Sequence, residues 1–151
     1  MIDIAWKSHA DVSKAEAIIA AAEKETNITD YINGNRSSHL VAFRNVCMYL
    51  IRKNTRFSYA QIGGMFSKDH ATAMHACKSI NNILDLSDKI GQHKFLLTVN
   101  DKLTSRAYSF LFSYLNMTSS DIAEHELERV EARVRQLLMT RRALKNLIRN
   151  K

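Results

Sequence analysis

Residues 58–80 read SYAQIGGMFSKDHATAMHACKSI, and this stretch decides the fold. Ser58, followed three residues later by a glutamine, is the signature of a capping box, which predicts a short helix that ends at Met65. The next three residues make a turn, and apolar side chains at helical spacing predict a second helix over 69–84. Two helices joined by a three-residue turn, the second beginning with small and polar residues, are typical of a helix-turn-helix.

The residues before this stretch also follow a helical period. Ser13 is a fair N-cap, and the apolar residues that follow it predict a first helix over 13–25. A turn and a short helix capped by Thr29 come next, and then a polar loop over 33–38. Residues 39–53 repeat apolar side chains at helical spacing and predict an amphipathic helix that faces a core.

Length and composition agree with an all-α class. The chain has 151 residues and 46% hydrophobic residues, enough for one compact domain or a small domain with one added element. It has no proline and four glycines, which favours long helices over a sandwich or barrel built on tight turns. No apolar run of ~18 residues is present, so no membrane span is expected. The two cysteines form no framework and favour a reducing cytoplasm.

Positive charge is concentrated in one part of the chain. The chain carries a net charge of +7, with 22 basic and 15 acidic residues. Residues 36–80 hold seven of the bases and a single acid, Asp69, whereas residues 1–35 carry a net charge of −3. This excess coincides with the predicted helix-turn-helix and favours a polyanionic partner.

Three runs within the chain resemble the C-terminal DNA-binding domain of the bacterial replication initiator family DnaA. They are VAFRNVCMYLIR at 41–52, SYAQIGGMF at 58–66 and KDHATAMHACKSI at 68–80. That family has an arginine-containing helix, an S-x-x-E-I-G helix and an R-D-H-T-T-V-x-H-A recognition element in this order. The resemblance covers roughly residues 15–85. It implies a fold related to the Trp repressor and recognition of the duplex boxes found at replication origins.

The chain also departs from that pattern. Ala71 stands where the family has its first threonine, so one hydroxyl contact is missing, and Lys68 replaces an arginine and offers a point charge instead of a bidentate fork. The loop before residue 39 carries one arginine where the family has several bases. The sequence contains no Walker loop, G-x-x-x-x-G-K-[ST], so we expect a stand-alone DNA-reading domain without the family's ATPase domain.

The start of the second helix of the motif is the predicted major-groove element. Asp69 can accept from a cytosine amino group, His70 can donate to guanine or phosphate, and the Thr72 methyl group can pack on a thymine methyl. Ala71 lies among them. The alternative role of Asp69 is an N-cap that accepts from the Thr72 amide, and the two roles can coexist.

Arg36 is the predicted minor-groove contact, because the resemblance places it where the family has such an arginine and a narrow A·T groove attracts one. Its alternative is a solvated loop charge. We expect the remaining bases to contact phosphates, or else to be idle surface charges, and Arg44 alternatively to brace the loop through hydrogen bonds. The complete predicted DNA-binding set is Arg36, Arg44, Arg52, Lys53, Arg56, Ser58, Lys68, Asp69, His70, Ala71, Thr72 and Lys78.

Other chemistries find little support in the sequence. His70, His75 and Cys77 do not share one helical face, so no metal site is expected. His75 is predicted to be a packed or hydrogen-bonded structural histidine. No paired carboxylates lie in the basic segment, and no Ser-His-Asp set can be argued from spacing. We therefore expect a binding protein without catalytic residues or cofactor.

The remainder, residues 86–151, is predicted to be a helical extension of a DNA-binding domain over 1–85. An aromatic-rich helix over 94–115, with a candidate break near Asn100, should pack on that domain. A long helix follows residue 120, with seam residues alternating by four and three over about four heptads. It could form a homodimer, fold back on residues 90–115, or touch DNA with its basic end.

The sequence as a whole predicts a cytoplasmic, nucleoid-associated protein that binds double-stranded DNA sequence-specifically. The expected role is replication initiation or its regulation, on a phage or other mobile element. One alternative is a helix-turn-helix transcriptional regulator with an unrelated operator. Another is a helical adaptor that binds a replication protein through its C-terminal helix.

Overall fold

The computed structural model of the chain describes residues 2–32, 36–117 and 119–150. Within these residues every regular element is a helix, which confirms the all-α class. The elements are α1 (Ile2–Thr26), α2 (Ser38–Asn54), α3 (Tyr59–Met65), α4 (His70–Ile90), α5 (Gln92–Leu97), α6 (Lys102–Asn116) and α7 (Ser119–Arg149).

Helix α2 lies at the centre of the fold because it packs against α1, α3 and α4. Its predicted apolar stripe is buried, and the fully enclosed side chains include Phe43, Leu50 and Ile51. Ile18 of α1 and Ile80 of α4 join the same core. Burying side chains of this size stabilises the fold by about 1.5–3 kcal/mol each.

The turn between α3 and α4 depends on Gly63. The carbonyl oxygen of Gly63 accepts from the amides of Phe66 and Lys68 at 3.0 and 2.8 Å. A Cβ atom at this position would lie 2.5 Å from the backbone oxygen of Asp69 and 2.8 Å from that of Lys68. Ser67 completes the turn with a positive φ of 57°. The predicted helix-turn-helix is therefore present, and α3 and α4 approach each other closely enough to require glycine.

The first part of the chain differs from the sequence-based prediction. Helix α1 begins at Ile2, so Ser13 lies inside the helix and the predicted cap there is wrong. The short helix predicted after Thr29 is also wrong, because Asn27 and Asp30 adopt positive φ angles that interrupt a helix. The Thr26 hydroxyl donates to the Ala22 oxygen at 2.6 Å at the end of α1. Residues 33–35 of the predicted loop lie outside the described residues.

Residues 1–115 form one compact unit. Helix α4 continues past residue 85 to Ile90, and Gly91, with a φ of 91°, then redirects the chain into α5. Phe95 contacts the rings of Tyr108 and Phe112 at centroid distances of 5.6 and 5.9 Å. These aromatic residues belong to the same core cluster as α2, so the packed unit extends 30 residues beyond the expected domain boundary. The predicted break near Asn100 is confirmed by the gap between α5 and α6.

Residues 116–151 form a second unit. It consists of α7, a helix of 31 residues, which confirms the long helix predicted from the heptad pattern. Its described residues are exposed or half-buried along the entire length.

Candidate nucleic-acid interface

Asp69 caps the N-terminus of α4, as predicted. Its Oδ1 atom accepts from the backbone amide of Thr72 at 2.9 Å and from the Thr72 hydroxyl at 2.7 Å. The hydrogen bond from the Thr72 side chain, followed by that from its amide, holds the pKa of the Asp69 carboxyl below its usual range. The carboxylate is therefore ionised and held in a fixed direction at the first turn.

The side chains on either side of Asp69 are exposed or half-buried. His70 and Thr72 are exposed, whereas Lys68 and Ala71 are half-buried. The Thr72 hydroxyl donates a hydrogen bond to Asp69. The Thr72 side chain can therefore offer a partner its methyl group and the lone pairs of its oxygen. The four predicted base-reading positions thus form a continuous first turn with one fixed acceptor, one imidazole and one methyl group.

Arg52, at the C-terminal end of α2, is held in place by α3 and the loop before it. Its NH1 group donates to the Phe57 carbonyl oxygen at 2.8 Å, and its guanidinium lies 4.2 Å from the ring centroid of Tyr59. The Arg52 charge also lies near Cys77 of α4. Burial raises the pKa of the Cys77 thiol, and the nearby guanidinium partly offsets this rise. Arg52 therefore presents a pre-oriented positive charge where three helices meet.

The other predicted phosphate contacts around this point are exposed: Lys53, Arg56, Ser58 and, on α4, Lys78. The Arg56 amide donates to Asp11 Oδ2 at 3.2 Å, which fixes its backbone against α1. The capping box predicted at Ser58 is confirmed. The Ser58 hydroxyl accepts from the Gln61 amide at 3.2 Å, and the Ser58 amide donates to Gln61 Oε1 at 2.9 Å. The hydroxyl proton of Ser58 is the group that could donate to a phosphate.

Arg44 lies in the core, with only 5% of its surface exposed. Its NH1 group donates to the Tyr31 carbonyl oxygen at 2.8 Å, and burial lowers the pKa of the guanidinium. The Tyr31 ring in turn lies 4.6 Å from that of Phe43. Arg44 therefore has the bracing role predicted as the alternative to a DNA contact, and it is not among the proposed contacts.

Arg36 is exposed and lies immediately before α2. Helix geometry separates this end of α2 from Arg52 by about 20 Å, at 1.5 Å per residue. The structure therefore places Arg36, the predicted minor-groove residue, and Arg52, a predicted phosphate contact, at opposite ends of α2.

Two features of this region differ from the sequence analysis or were missed by it. His75 is exposed on α4, so the prediction that it is packed is wrong, whereas a hydrogen-bonded structural role stays a prediction. At 100° per residue, His75 lies about 20° from the direction opposite the buried Ala73, and this signal was available in the sequence. The role of Tyr59 under the Arg52 guanidinium was missed, because cation–π pairing between elements leaves no mark in local spacing.

Comparison with known proteins identifies the domain that carries these residues. Residues 15–80 match the family described as the bacterial DnaA protein helix-turn-helix. These residues, the DnaA-type domain, are similar to that family. The match supports DNA binding by this domain, and it spans the second half of α1, all of α2 and α3 and the first half of α4.

The DnaA-type domain is similar to several proteins named chromosomal replication initiator protein DnaA. That of Picosynechococcus sp. is 36% identical over 75 residues, which are 49% of this chain and 17% of the relative. That of Wolbachia sp. is 33% identical over 98 residues, 61% of this chain and 21% of the relative. The chain thus spans about a fifth or less of the length of these relatives. No solved structure shows a significant match.

Among the described residues, no helix is long and apolar enough to cross a membrane. In the same residues, no group of three or more His, Cys, Asp or Glu side chains is arranged to hold a metal ion.

Proposed function

We propose that this chain binds double-stranded DNA with sequence preference, with the first turn of α4 in the major groove. The observation that carries the proposal is the arrangement at that turn, where Asp69 is fixed by Thr72 and His70 is exposed beside it. The second helix of a helix-turn-helix enters the groove with its N-terminal residues. A fixed carboxylate suits a cytosine amino group, and the Thr72 methyl group suits a thymine methyl.

Phosphate contacts would set the register of α4 on the duplex. Arg52 supports this role because its guanidinium is already held by the Phe57 oxygen and the Tyr59 ring, so little further ordering is needed on binding. Lys68, and the exposed Lys53, Arg56, Ser58 and Lys78, add donors of the kind that contact phosphate. Because such contacts release counterions, affinity should fall steeply with salt.

Arg36 is proposed as the minor-groove contact. It is exposed at the opposite end of α2 from Arg52, so both can reach DNA only if α2 lies across the backbone between two grooves. With one arginine in this loop and Ala71 in place of a threonine, we expect a target box that differs from that of the family's pattern. The relatives are named chromosomal replication initiators, and we propose that the box recognised here serves replication initiation or its regulation.

The first test compares two exposed histidines on α4 by fluorescence anisotropy. The probes are a duplex carrying the box enriched from a random pool and a scrambled duplex of equal length. We expect His70→Ala to lower the preference for the box about tenfold, the usual size of one base contact. His75→Ala, which removes the same ring from a different face of α4, should leave both affinities unchanged. Equal behaviour of the two variants would contradict the proposed reading surface.

The second test concerns the minor groove. Arg36→Ala should weaken binding to the box more than to the scrambled duplex, because the groove width that attracts arginine depends on sequence. Arg106→Ala, at an exposed base outside residues 36–80, is the charge-matched control and should have little effect on either. If Arg36→Ala weakens binding equally on all duplexes, the arginine contacts backbone only. If His70→Ala and Arg36→Ala both leave function unchanged while charge reversal in 133–149 abolishes it, the adaptor alternative holds instead.

A further inference from the structure

Helix α7 carries a long apolar seam that its own unit leaves exposed. The seam residues alternate by four and three: Ala123, Leu127, Val130, Val134, Leu137, Arg141, Leu144 and Ile148. The leucines, valines and isoleucine among them are between 47% and 74% exposed. A seam with a period of 3.5 residues is the pattern by which one helix packs along another in a coiled coil.

Charge divides α7 into two halves of opposite sign. All five acids lie between Asp121 and Glu131, whereas the bases from Arg133 onwards are followed by no acid. Two copies aligned in parallel would bring acid against acid and base against base. Two copies aligned antiparallel would bring each acidic half against the basic half of the other.

We propose that α7 pairs with α7 of a second copy of this chain as an antiparallel coiled coil. The seam fixes the register, because in antiparallel pairs each a position packs against a d position. One alignment matches all eight seam residues: Ala123 with Ile148 of the second copy, Leu127 with Leu144, Val130 with Arg141, and Val134 with Leu137. Each of these four layers occurs twice in the two-fold pair.

Arg141, the polar seam residue, distinguishes the two orientations. In a parallel pair the two Arg141 side chains would face each other in one layer, which buries two like charges together. In the antiparallel register Arg141 faces Val130 of the second copy, and the next residue there is Glu131. A guanidinium and a carboxylate at that spacing attract each other, so the antiparallel register gives this charge an oppositely charged neighbour.

The residues that flank the seam favour the same orientation. In the antiparallel register Glu124 lies beside Lys145 of the second copy, and this contact occurs twice. In a parallel pair Glu126 would instead lie beside Glu131 of the other copy, with like charges in contact. In the antiparallel pair, the chain segments that lead into the two copies of α7 would enter from opposite ends, about 50 Å apart at 1.5 Å per residue.

Cysteine cross-linking in the full chain tests the register without DNA, so its outcome is independent of the proposed DNA binding. Leu127→Cys and Leu144→Cys are made separately, mixed and mildly oxidised. We expect a disulfide between the two variants, because these positions face each other. We expect none within either variant alone, where the two sulfurs would lie about 25 Å apart along the axis. The wild type, whose Cys47 and Cys77 are buried, is the control.

A charge exchange tests the same register without touching the seam. Glu124→Lys and Lys145→Glu should each weaken dimerisation several-fold in sedimentation equilibrium, because each places like charges together twice. The double variant should restore wild-type affinity, since the pair is rebuilt with its signs exchanged. A disulfide within Leu127→Cys alone, additive weakening in the double variant, or a wild-type chain that stays monomeric at high micromolar concentration would overturn the proposal.

Discussion

Helices α2 and α7 are both amphipathic, yet they use their apolar faces in opposite ways. Helix α2 has 17 residues, of which nine are buried by neighbouring helices of the same unit. Helix α7 has 31 residues, and none of those described is buried. The apolar stripe of α2 is wide because it receives helices from several sides, whereas that of α7 is a seam of two residues in seven. If α7 pairs as proposed, the width of an apolar face distinguishes a helix that packs within its own unit from one that packs along a single partner.

This difference also separates two kinds of stability. The packing of α2 is intramolecular and should not depend on protein concentration. The proposed pairing of α7 is intermolecular, so its apparent stability should rise with protein concentration.

The largest effect should follow from breaking the α7 seam. Leu127→Asp removes a leucine from two layers of the proposed pair, each worth about 2 kcal/mol of burial, so the dimer dissociation constant should rise about 1000-fold. Met139→Asp, at a position 74% exposed and opposite the seam, is the control and should leave it unchanged. The unfolding midpoint of residues 1–115 should not move in either variant. Equal effects of the two substitutions on the dissociation constant would remove the distinction between α2 and α7.

The next largest effect concerns the close approach in the DnaA-type domain. Gly63→Ala should lower the free energy of unfolding by about 2 kcal/mol or more, because the added Cβ would meet backbone oxygens that cannot rotate away. Gly64→Ala is a matched control, since a Cβ there meets nothing within 4 Å and alanine favours a helix. Urea denaturation measures both. A tolerated Gly63→Ala would show that the turn between α3 and α4 is looser than described.

A smaller effect should appear at the α4 cap on acidification. Hydrogen bonds from Thr72 lower the pKa of Asp69 in the folded state. The ionised carboxylate therefore contributes fully to the free energy of unfolding above the pKa of the unfolded state. This contribution is lost as pH falls through the pKa of the folded state. Asp69→Asn keeps a capping oxygen but does not titrate. The stability difference between wild type and Asp69→Asn should therefore shrink as pH falls from about 6 to about 2, as measured by urea denaturation. A difference that stays constant over that range would contradict the cap.

The helix-turn-helix was predictable because its signals are local. The capping oxygens of Ser58 and Asp69 and the apolar spacing of α4 lie within a few residues of the groups that they affect. The start of α1 was not predictable in this way, because Ser13 has the side chain of a cap but the helix continues through it. The extension of the packed unit to residue 115 depends on Phe95 meeting Tyr108 and Phe112, a contact that only the tertiary fold creates.

The candidate site shows the same division. The exposure of the first turn of α4 follows from helical phase, and so does that of His75 in the next turn. By contrast, the burial of Arg44 depends on the Tyr31 carbonyl 13 residues away, and the orientation of Arg52 depends on Tyr59 in another helix. Charge counts identified the basic segment, but only packing separates its exposed bases from Arg44, which braces the core.

The most direct measurement of the central claim is selection of binding sites from a random duplex pool with the full chain at moderate ionic strength. If the first turn of α4 reads bases, the wild type should enrich one box, and His70→Ala should lose preference at one or two positions within it. A wild-type protein that enriches no sequence, or a box that is unchanged in His70→Ala, would contradict the claim that the first turn of α4 recognises bases.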